Sequence, residues 1–233
     1  MVQINNNTPL NLRVKFKKTG NLQYISHLDL VRTMHKIIVR AKLPLWYTEG
    51  FNPKPKMVFA APLSIGTESV TEFVDIRLSE RMSESEALMR LNENMTEEMQ
   101  ALDAYYPQNK LTDLKWLSYT VAIKTNSASV GLAEKCREVL MADRVEVEKK
   151  TKSGDVTVSD IRPLIKSVNS VFDGENICIS CVLSADSSAF LNPEYIIKVL
   201  KKECGILSDE NLLNEHYSIM RKNAYLGDMS DFR

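Results

Sequence analysis

The segment LRVKFKKTGNLQYISHLDLVRTMHKIIVRA, residues 12–41, contains a strand pattern followed directly by a helix pattern. Residues 12–18 alternate apolar and basic side chains, which predicts a strand with one buried face and a basic outer face. From residue 30 to residue 41, apolar side chains recur at helical spacing, as in an amphipathic helix. Ser26 with Asp29 three residues later is typical of a capping box, so the helix should start there. The outer face of this helix is basic, because Arg32, Lys36 and Arg40 recur every four residues.

The next segments continue the same alternation of strands and helices. Residues 58–63 begin a further extended segment, and residues 71–78 predict a strand with one solvent-facing side. Ser83 with Glu86 predicts a second capped helix before a closing strand at residues 103–107. The resulting order, β-α-β-β-α-β, is that of the ferredoxin-like or split βαβ fold. We therefore expect an antiparallel sheet with two helices on one face.

A similar series of elements begins again at Trp116. It comprises a strand, a helix, a hairpin turn at residues 152–155, an extended segment at 161–171, a strand at 177–183, a helix at 194–204 after Asn192-Pro193, and an edge strand at 217–220. The predicted fold class is α+β, with two ferredoxin-like halves. We expect residues 1–110 to form one domain and residues 111–233 a second, smaller α+β domain.

The most irregular stretch is TEGFNPKPKM, residues 48–57. Gly50 can adopt a positive φ, whereas Pro53 and Pro55 fix their φ angles and favour extended geometry in the residues before them. Lys54 and Lys56 are thereby held on a stiff, basic loop. Such a loop suits an anionic partner.

Charge is segregated along the chain although the formal net charge is zero. Residues 12–56 carry a net charge of +8, and residues 68–103 carry a net charge of −7. The N-terminus lacks a basic start followed by an apolar run, and no stretch reaches the roughly 18 apolar residues of a membrane span. We expect a cytoplasmic protein without a membrane partner.

The four cysteines do not indicate a disulfide framework in a chain of 233 residues. Cys178 and Cys181 form a C-x-x-C, but in a strand these positions point to opposite faces. Tetrahedral zinc would need two more ligands nearby, so we expect neither a metal nor another cofactor.

His27 follows the cap of the first helix and has two interpretations. A neutral imidazole beside exposed helix N–H groups could hold a phosphate or carboxylate. Alternatively, Ser26 and Asp29 simply cap the helix while His27 packs on the end of the strand. The second interpretation is favoured. No Ser/His/Asp or Cys/His set and no glycine-rich phosphate loop is found in the sequence.

The basic residues between positions 15 and 56 could follow a nucleic-acid backbone, and nearby aromatic rings could stack on unpaired bases. The aromatic candidates are Tyr24, Trp46, Tyr47 and Phe51. Two alternatives remain open: a role of the cations as solvated charges or as partners of an acidic surface, and a role of Trp46 and Phe51 in the core. The candidate ligand- or RNA-binding residues are Lys18, Ser26, His27, Asp29, Arg32, Gly50, Phe51, Asn52, Pro53, Lys54 and Lys56.

Several motifs resemble the radical-SAM-linked protein family, a bacterial group encoded beside or fused to a radical-SAM protein with a cobalamin-binding-type domain. They are Phe16-Lys17-Lys18-Thr19-Gly20, Ser26-His27-Leu28-Asp29, Gly50–Pro55, Pro62-Leu63 with Gly66, Asp160–Ile165, and Leu191-Asn192-Pro193. The resemblance implies a radical-SAM partner. The cluster motif C-x-x-x-C-x-x-C is absent from this chain, so the partner would carry the radical chemistry.

Two functions of different classes follow. The favoured one is a non-catalytic binding module that presents RNA or another anionic substrate to a separate radical-SAM enzyme. The alternative is a metal-independent ribonuclease with a ferredoxin-like fold, in which His27 is the general base and Tyr24 or Lys18 assists. A purely protein-binding adaptor is a third candidate.

Overall fold

The structure, a computed structural model, describes residues 9–150, 154–208 and 213–233. In this part of the chain the fold is mixed α+β, with a mostly antiparallel sheet and four α-helices. The chain divides into two compact units, of which the first comprises residues 1–113 with Arg233 and the second residues 114–232.

The described residues of the first unit form four strands and two α-helices in the order β-α-β-β-α-β. They are β1 (Leu10–Lys18), α1 (His27–Arg40), β2 (Met57–Phe59), β3 (Thr67–Leu78), α2 (Glu84–Asn92) and β4 (Ala101–Tyr105). β1 pairs with both β3 and β4, and β2 pairs with β3, each in the antiparallel direction. The strand order within the unit is β4-β1-β3-β2.

One face of this sheet forms the core with both helices. Leu12, Val14 and Phe16 of β1 are fully buried and cluster with apolar side chains from β3, α1 and α2. The alternation predicted for residues 12–18 is therefore confirmed on its apolar side. Met34 and Ile38 of α1 are also fully buried, as expected from their helical spacing.

The opposite face of the sheet is more buried than the sequence indicates. The sequence predicts a wholly basic outer face for β1 and a solvent-facing side for β3. Both predictions hold only in part: Lys15, Lys17 and Arg77 are partly exposed, whereas Arg13, Phe73 and Asp75 are buried. Arg13 and Asp75 form an ion pair across the two strands, and Arg13 also bonds to Asn109 in the segment after β4.

The two predicted capping boxes have different outcomes. The Ser26 side chain accepts a hydrogen bond from the Asp29 backbone N–H, so the first cap is confirmed. The Ser83 side chain makes no such bond to the backbone of α2, and its hydroxyl bonds to the Ser85 hydroxyl instead. The prediction of a second capping box is therefore wrong, because the Ser83 hydroxyl bonds to a neighbouring side chain and not to the helix backbone.

The second unit repeats a similar series of elements with an added hairpin. They are β5 (Trp116–Lys124), α3 (Val130–Met141), β6 (Glu146–Lys150), β7 (Val156–Asp160), β8 (Ile165–Phe172), β9 (Ile177–Ser184), α4 (Glu194–Cys204) and β10 (His216–Tyr225). The strand order within this unit is β10-β5-β9-β8, and β6 and β7 form a separate two-stranded sheet. The predicted turn at residues 152–155 lies partly outside the described residues.

Three boundaries in the sequence analysis need correction. The closing strand predicted at residues 103–107 is β4, which begins two residues earlier. The segment predicted as extended at residues 161–171 begins with a short 3-10 helix, Arg162–Leu164, because Pro163 favours a turn there. The last strand is ten residues long rather than four.

Candidate functional site

The loop between α1 and β2 is built on a hydrogen-bonded stem. The Lys56 N–H donates to the Trp46 carbonyl at 3.0 Å, and the Thr48 N–H donates to the Lys54 carbonyl at 2.9 Å. The Lys54 N–H in turn donates to the Thr48 hydroxyl at 3.1 Å. These bonds hold residues 49–53 as a short tip at the end of a narrow stem.

The tip is fully solvated. Gly50 has a φ of +121°, a conformation that side-chain-bearing residues rarely adopt, so glycine permits the turn. The next residue, Phe51, is as exposed as an isolated side chain, with a relative accessibility of 112%. The interpretation of Phe51 as a core residue is therefore wrong. Asn52, Pro53 and the Lys54 side chain are exposed as well.

The loop lies next to α1. His35 Nε2 donates to the Pro55 carbonyl at a distance of 3.2 Å, which joins the middle of the helix to the stem. At the start of the helix, the His27 ring packs edge-on against Phe59 of β2, with a centroid distance of 5.4 Å. The stem of the loop and the strand β2 thus both contact α1.

The N-terminus of α1 already holds a carboxylate of the chain itself. Asp29 accepts a hydrogen bond from the Ser26 hydroxyl at 2.7 Å and pairs with Arg32 at 3.1 Å. These two bonds, with the serine bond first, lower the pKa of the Asp29 carboxyl. An acidic side chain at the positive end of a helix competes with any external anion. The geometry therefore favours capping over a phosphate cradle.

The three residues of the ribonuclease alternative have different surroundings. The His27 and Tyr24 side chains are exposed. Lys18 is 1% exposed, and its ammonium donates to the Leu22 carbonyl at 3.1 Å and to the Gln23 carbonyl at 3.4 Å. Lys18 thus stabilises the short 3-10 helix at residues 20–24 rather than contributing to the basic surface.

The remaining basic candidates are accessible. Arg32, Lys36 and Arg40 lie on the outer side of α1, and Lys54 and Lys56 extend from the loop. Arg32 is one helical turn before His35, so it lies close to the point where the loop contacts the helix. We call the exposed side chains of Arg32, Lys36, Phe51 and Lys54 the loop surface.

The sequence analysis named Lys56 but missed three cations that share a cleft with it, Arg77, Arg81 and Lys110. Lys56, Arg77, Arg81 and Lys110 line a cleft of about 710 Å³ in the first unit, together with Tyr106. Arg77 and Arg81 belong to the segment of net negative charge, so its average concealed them. For Arg77, the sequence does carry a signal: it lies two residues after Asp75 and therefore on the same side of the strand.

No group of three or more potential metal ligands occurs among the residues that the structure describes. In β9, Cys181 is buried and Cys178 is only half-buried, because the two positions point to opposite faces as predicted. Burial raises the pKa of the Cys181 thiol to about 12. In the described part of the chain, no helix has the length and hydropathy needed to cross a membrane.

These features define a mixed α+β protein in which a stiff basic loop is anchored to a basic helix. Residues 11–193 match the model of a family described as "Uncharacterized protein conserved in bacteria (DUF2344)". The chain belongs to this bacterial family.

Comparison with other proteins adds little to this assignment. No curated protein matches the chain. Among solved structures, the chain is similar to the "Crystal Structure of an Unknown Protein from Galdieria sulphuraria", at 7% identity. The match covers 92% of this chain and 99% of the other, with a TM-score of 0.26. A TM-score this low supports no argument about fold or function.

Proposed function

We propose that this protein is a non-catalytic binding module that recognises RNA, or another anionic substrate, for a separate radical-SAM enzyme. Recognition would use the loop surface, with Lys54 and Lys36 at phosphates and Phe51 stacking on an unpaired base. The radical-SAM partner rests on the motif resemblance alone, since the family description names no partner.

The proposal includes the finer fold assignment. We infer that each unit is a ferredoxin-like domain, with a boundary near residues 110–114. Two observations support this inference: the element order β-α-β-β-α-β of the first unit, and the equivalent strand orders β4-β1-β3-β2 and β10-β5-β9-β8. In the second unit the β6-β7 hairpin is an insertion.

The observation that carries the functional proposal is the exposure of Phe51 at the tip of a hydrogen-bonded stem. A fully solvated aromatic ring gains nothing in folding, because it buries no apolar surface. A base stacked on such a ring gains roughly 1–3 kcal/mol. Gly50 and Pro53 hold the ring on a stiff turn, which reduces the entropy lost on binding.

The test is binding of a fluorescent single-stranded RNA to the whole protein, measured by anisotropy at several salt concentrations. Phe51→Ala and Lys54→Ala should each weaken binding, and only Lys54→Ala should reduce its salt dependence, because a cation releases counterions and a ring does not. Lys201→Ala, an exposed lysine of α4, is the control. An absence of RNA binding at low salt would contradict the RNA part of the proposal.

The ribonuclease alternative has less support. Lys18 is committed to two backbone carbonyls, and the His27 ring contacts Phe59. Incubating labelled RNA with the protein and a chelator distinguishes the two functions. Cleavage that is lost in His27→Ala would favour the enzyme, whereas intact RNA in the same assay agrees with a binding module.

A further inference from the structure

We propose that the cleft between β2, β3 and residues 106–112 binds a nucleoside phosphate. The site is distinct from the loop surface and does not depend on it. Its lining includes four cationic side chains and one carboxylate, that of Asp75. The cleft of about 710 Å³ falls within the roughly 300–1,000 Å³ typical of small-molecule sites.

The charge of the cleft is not balanced by the protein. Asp75 is engaged by Arg13, with two hydrogen bonds of 2.7 and 3.0 Å. The four cations of the lining, Lys56, Arg77, Arg81 and Lys110, make no ion pair with any residue that the structure describes. The neutral floor and cationic walls therefore favour an anion.

Two of these cations are neighbours across a strand pair. The Arg77 N–H donates to the Lys56 carbonyl at 2.9 Å, directly beyond the antiparallel pair Met57–Ile76. Opposed residues of antiparallel strands project from the same side of the sheet, and like charges at such positions are destabilising. A bound phosphate would relieve this repulsion by accepting hydrogen bonds from both side chains.

The other side of the cleft offers a flat surface for a base. The Arg81 guanidinium carbon lies 4.1 Å from the centre of the Tyr106 ring. The Tyr106 hydroxyl donates to the Met82 carbonyl at 3.1 Å and accepts from the Met82 N–H at 3.0 Å, so the ring is fixed. Guanidinium planes stack on bases, so Arg81 over the Tyr106 ring offers a base a stacking partner.

The same chemistry could come from a free nucleotide or from one nucleotide of an RNA strand. An acidic peptide fits less well, because carboxylates need no stacking surface. The geometry therefore favours a ligand in which a phosphate and a planar ring are joined, and the experiment separates its two sources.

The experiment is titration calorimetry of the full chain at low salt. The probes are AMP, UMP, inorganic phosphate, hexaglutamate and the single-stranded hexamers of adenylate and uridylate. We expect both mononucleotides to bind at least ten-fold more tightly than phosphate. Hexamers that bind more tightly still would identify RNA as the source, and hexamers no tighter than mononucleotides would identify the free nucleotide.

The variants are Arg77→Gln, Lys110→Gln and Arg81→Lys. Each glutamine variant should weaken nucleotide binding at least ten-fold, whereas Arg81→Lys should chiefly reduce the preference for nucleotides over phosphate, because it retains charge but not the planar surface. Lys110 is exposed, so Lys110→Gln tests the site even if Arg77→Gln fails to fold. Lys201→Ala, at an exposed lysine of α4, should leave mononucleotide binding unchanged and is the control. Unchanged affinity in Lys110→Gln, or tighter binding of phosphate or hexaglutamate than of nucleotides, would overturn the proposal.

Discussion

The Arg13 guanidinium forms a two-bond ion pair with the Asp75 carboxylate, across the strands β1 and β3 of the first unit. Arg13 is completely buried, and the Asp75 side chain is 11% exposed. Two residues 62 positions apart thus neutralise each other on the helix-free face of the sheet. The pair also joins this face to the segment after β4 through Asn109.

Breaking this pair should be costly. Asp75→Asn leaves the buried Arg13 charge without its partner, so we expect the free energy of unfolding to fall by about 3–5 kcal/mol. Asp103→Asn is the matched control, because Asp103 pairs with Arg233 at the surface and such pairs contribute about 0–1 kcal/mol. Urea unfolding followed by circular dichroism measures both. Equal losses in the two variants would contradict the assignment of Arg13–Asp75 as a structural pair.

The two serines before α1 and α2 should differ. Ser26→Ala removes a hydrogen bond to the Asp29 N–H and should destabilise the protein by about 0.5–2 kcal/mol. Ser83→Ala should have little effect, since Ser83 makes no bond to the backbone of its helix. Thermal unfolding of both variants tests the difference. A larger loss for Ser83→Ala is incompatible with the caps described above.

Gly20 should tolerate a side chain less well than Gly66. Both glycines have positive φ angles, of +60° and +83°, so alanine should cost about 1–2 kcal/mol at either position. At Gly20 a Cβ atom would also overlap the Glu98 carboxylate, whereas nothing lies near the corresponding point at Gly66. We expect Gly20→Ala to lower the melting temperature further than Gly66→Ala. The opposite ranking would show that Glu98 moves aside at no cost.

The stability of the second unit should depend on Asp186 at acid pH. Asp186 pairs with Lys115 at 2.5 Å and accepts hydrogen bonds from Ser188, and these interactions, with Lys115 first, lower the pKa of its carboxyl from 3.8. A carboxyl whose pKa is lower in the folded state than in the unfolded state stabilises the protein at pH values above the unfolded-state pKa. This stabilisation is lost as the pH falls through the folded-state pKa. Asp186→Asn should therefore melt below the wild type at pH 7, with a difference that shrinks below about pH 4. Melting curves between pH 2 and pH 7 measure this, and a difference independent of pH would exclude the carboxylate as its cause.

Local patterns predicted many of the elements in the first unit. The alternation in residues 12–18, the cap at Ser26 and the apolar spacing behind it all depend on neighbours within a few positions, and the structure bears them out. The burial of Arg13 could not be predicted in this way, because its partner Asp75 lies 62 positions away. The failure at Ser83 is local. Ser83 has the spacing of a capping box, but its hydroxyl bonds to Ser85 instead, and nothing in the spacing distinguishes it from Ser26.

The candidate site was predictable only in part. The stiffness of the loop follows from Gly50, Pro53 and Pro55, because glycine and proline act through their own backbone angles. The burial of Lys18 was not predictable, since its two carbonyl partners belong to a 3-10 helix with no clear sequence signal. Averaging charge over a segment also concealed Arg77 and Arg81.

The sequence by itself determined the local elements of the first unit, the cap of its first helix and the irregular basic loop, because each depends on the intrinsic preferences of a few adjacent residues. Only the tertiary structure decided which charges are neutralised and which are not. Strand pairing buries Arg13 against Asp75 and brings Lys56 beside Arg77, although these residues lie far apart in the chain. Electrostatic interactions depend on distance in space and on burial, and neither can be read from sequence separation.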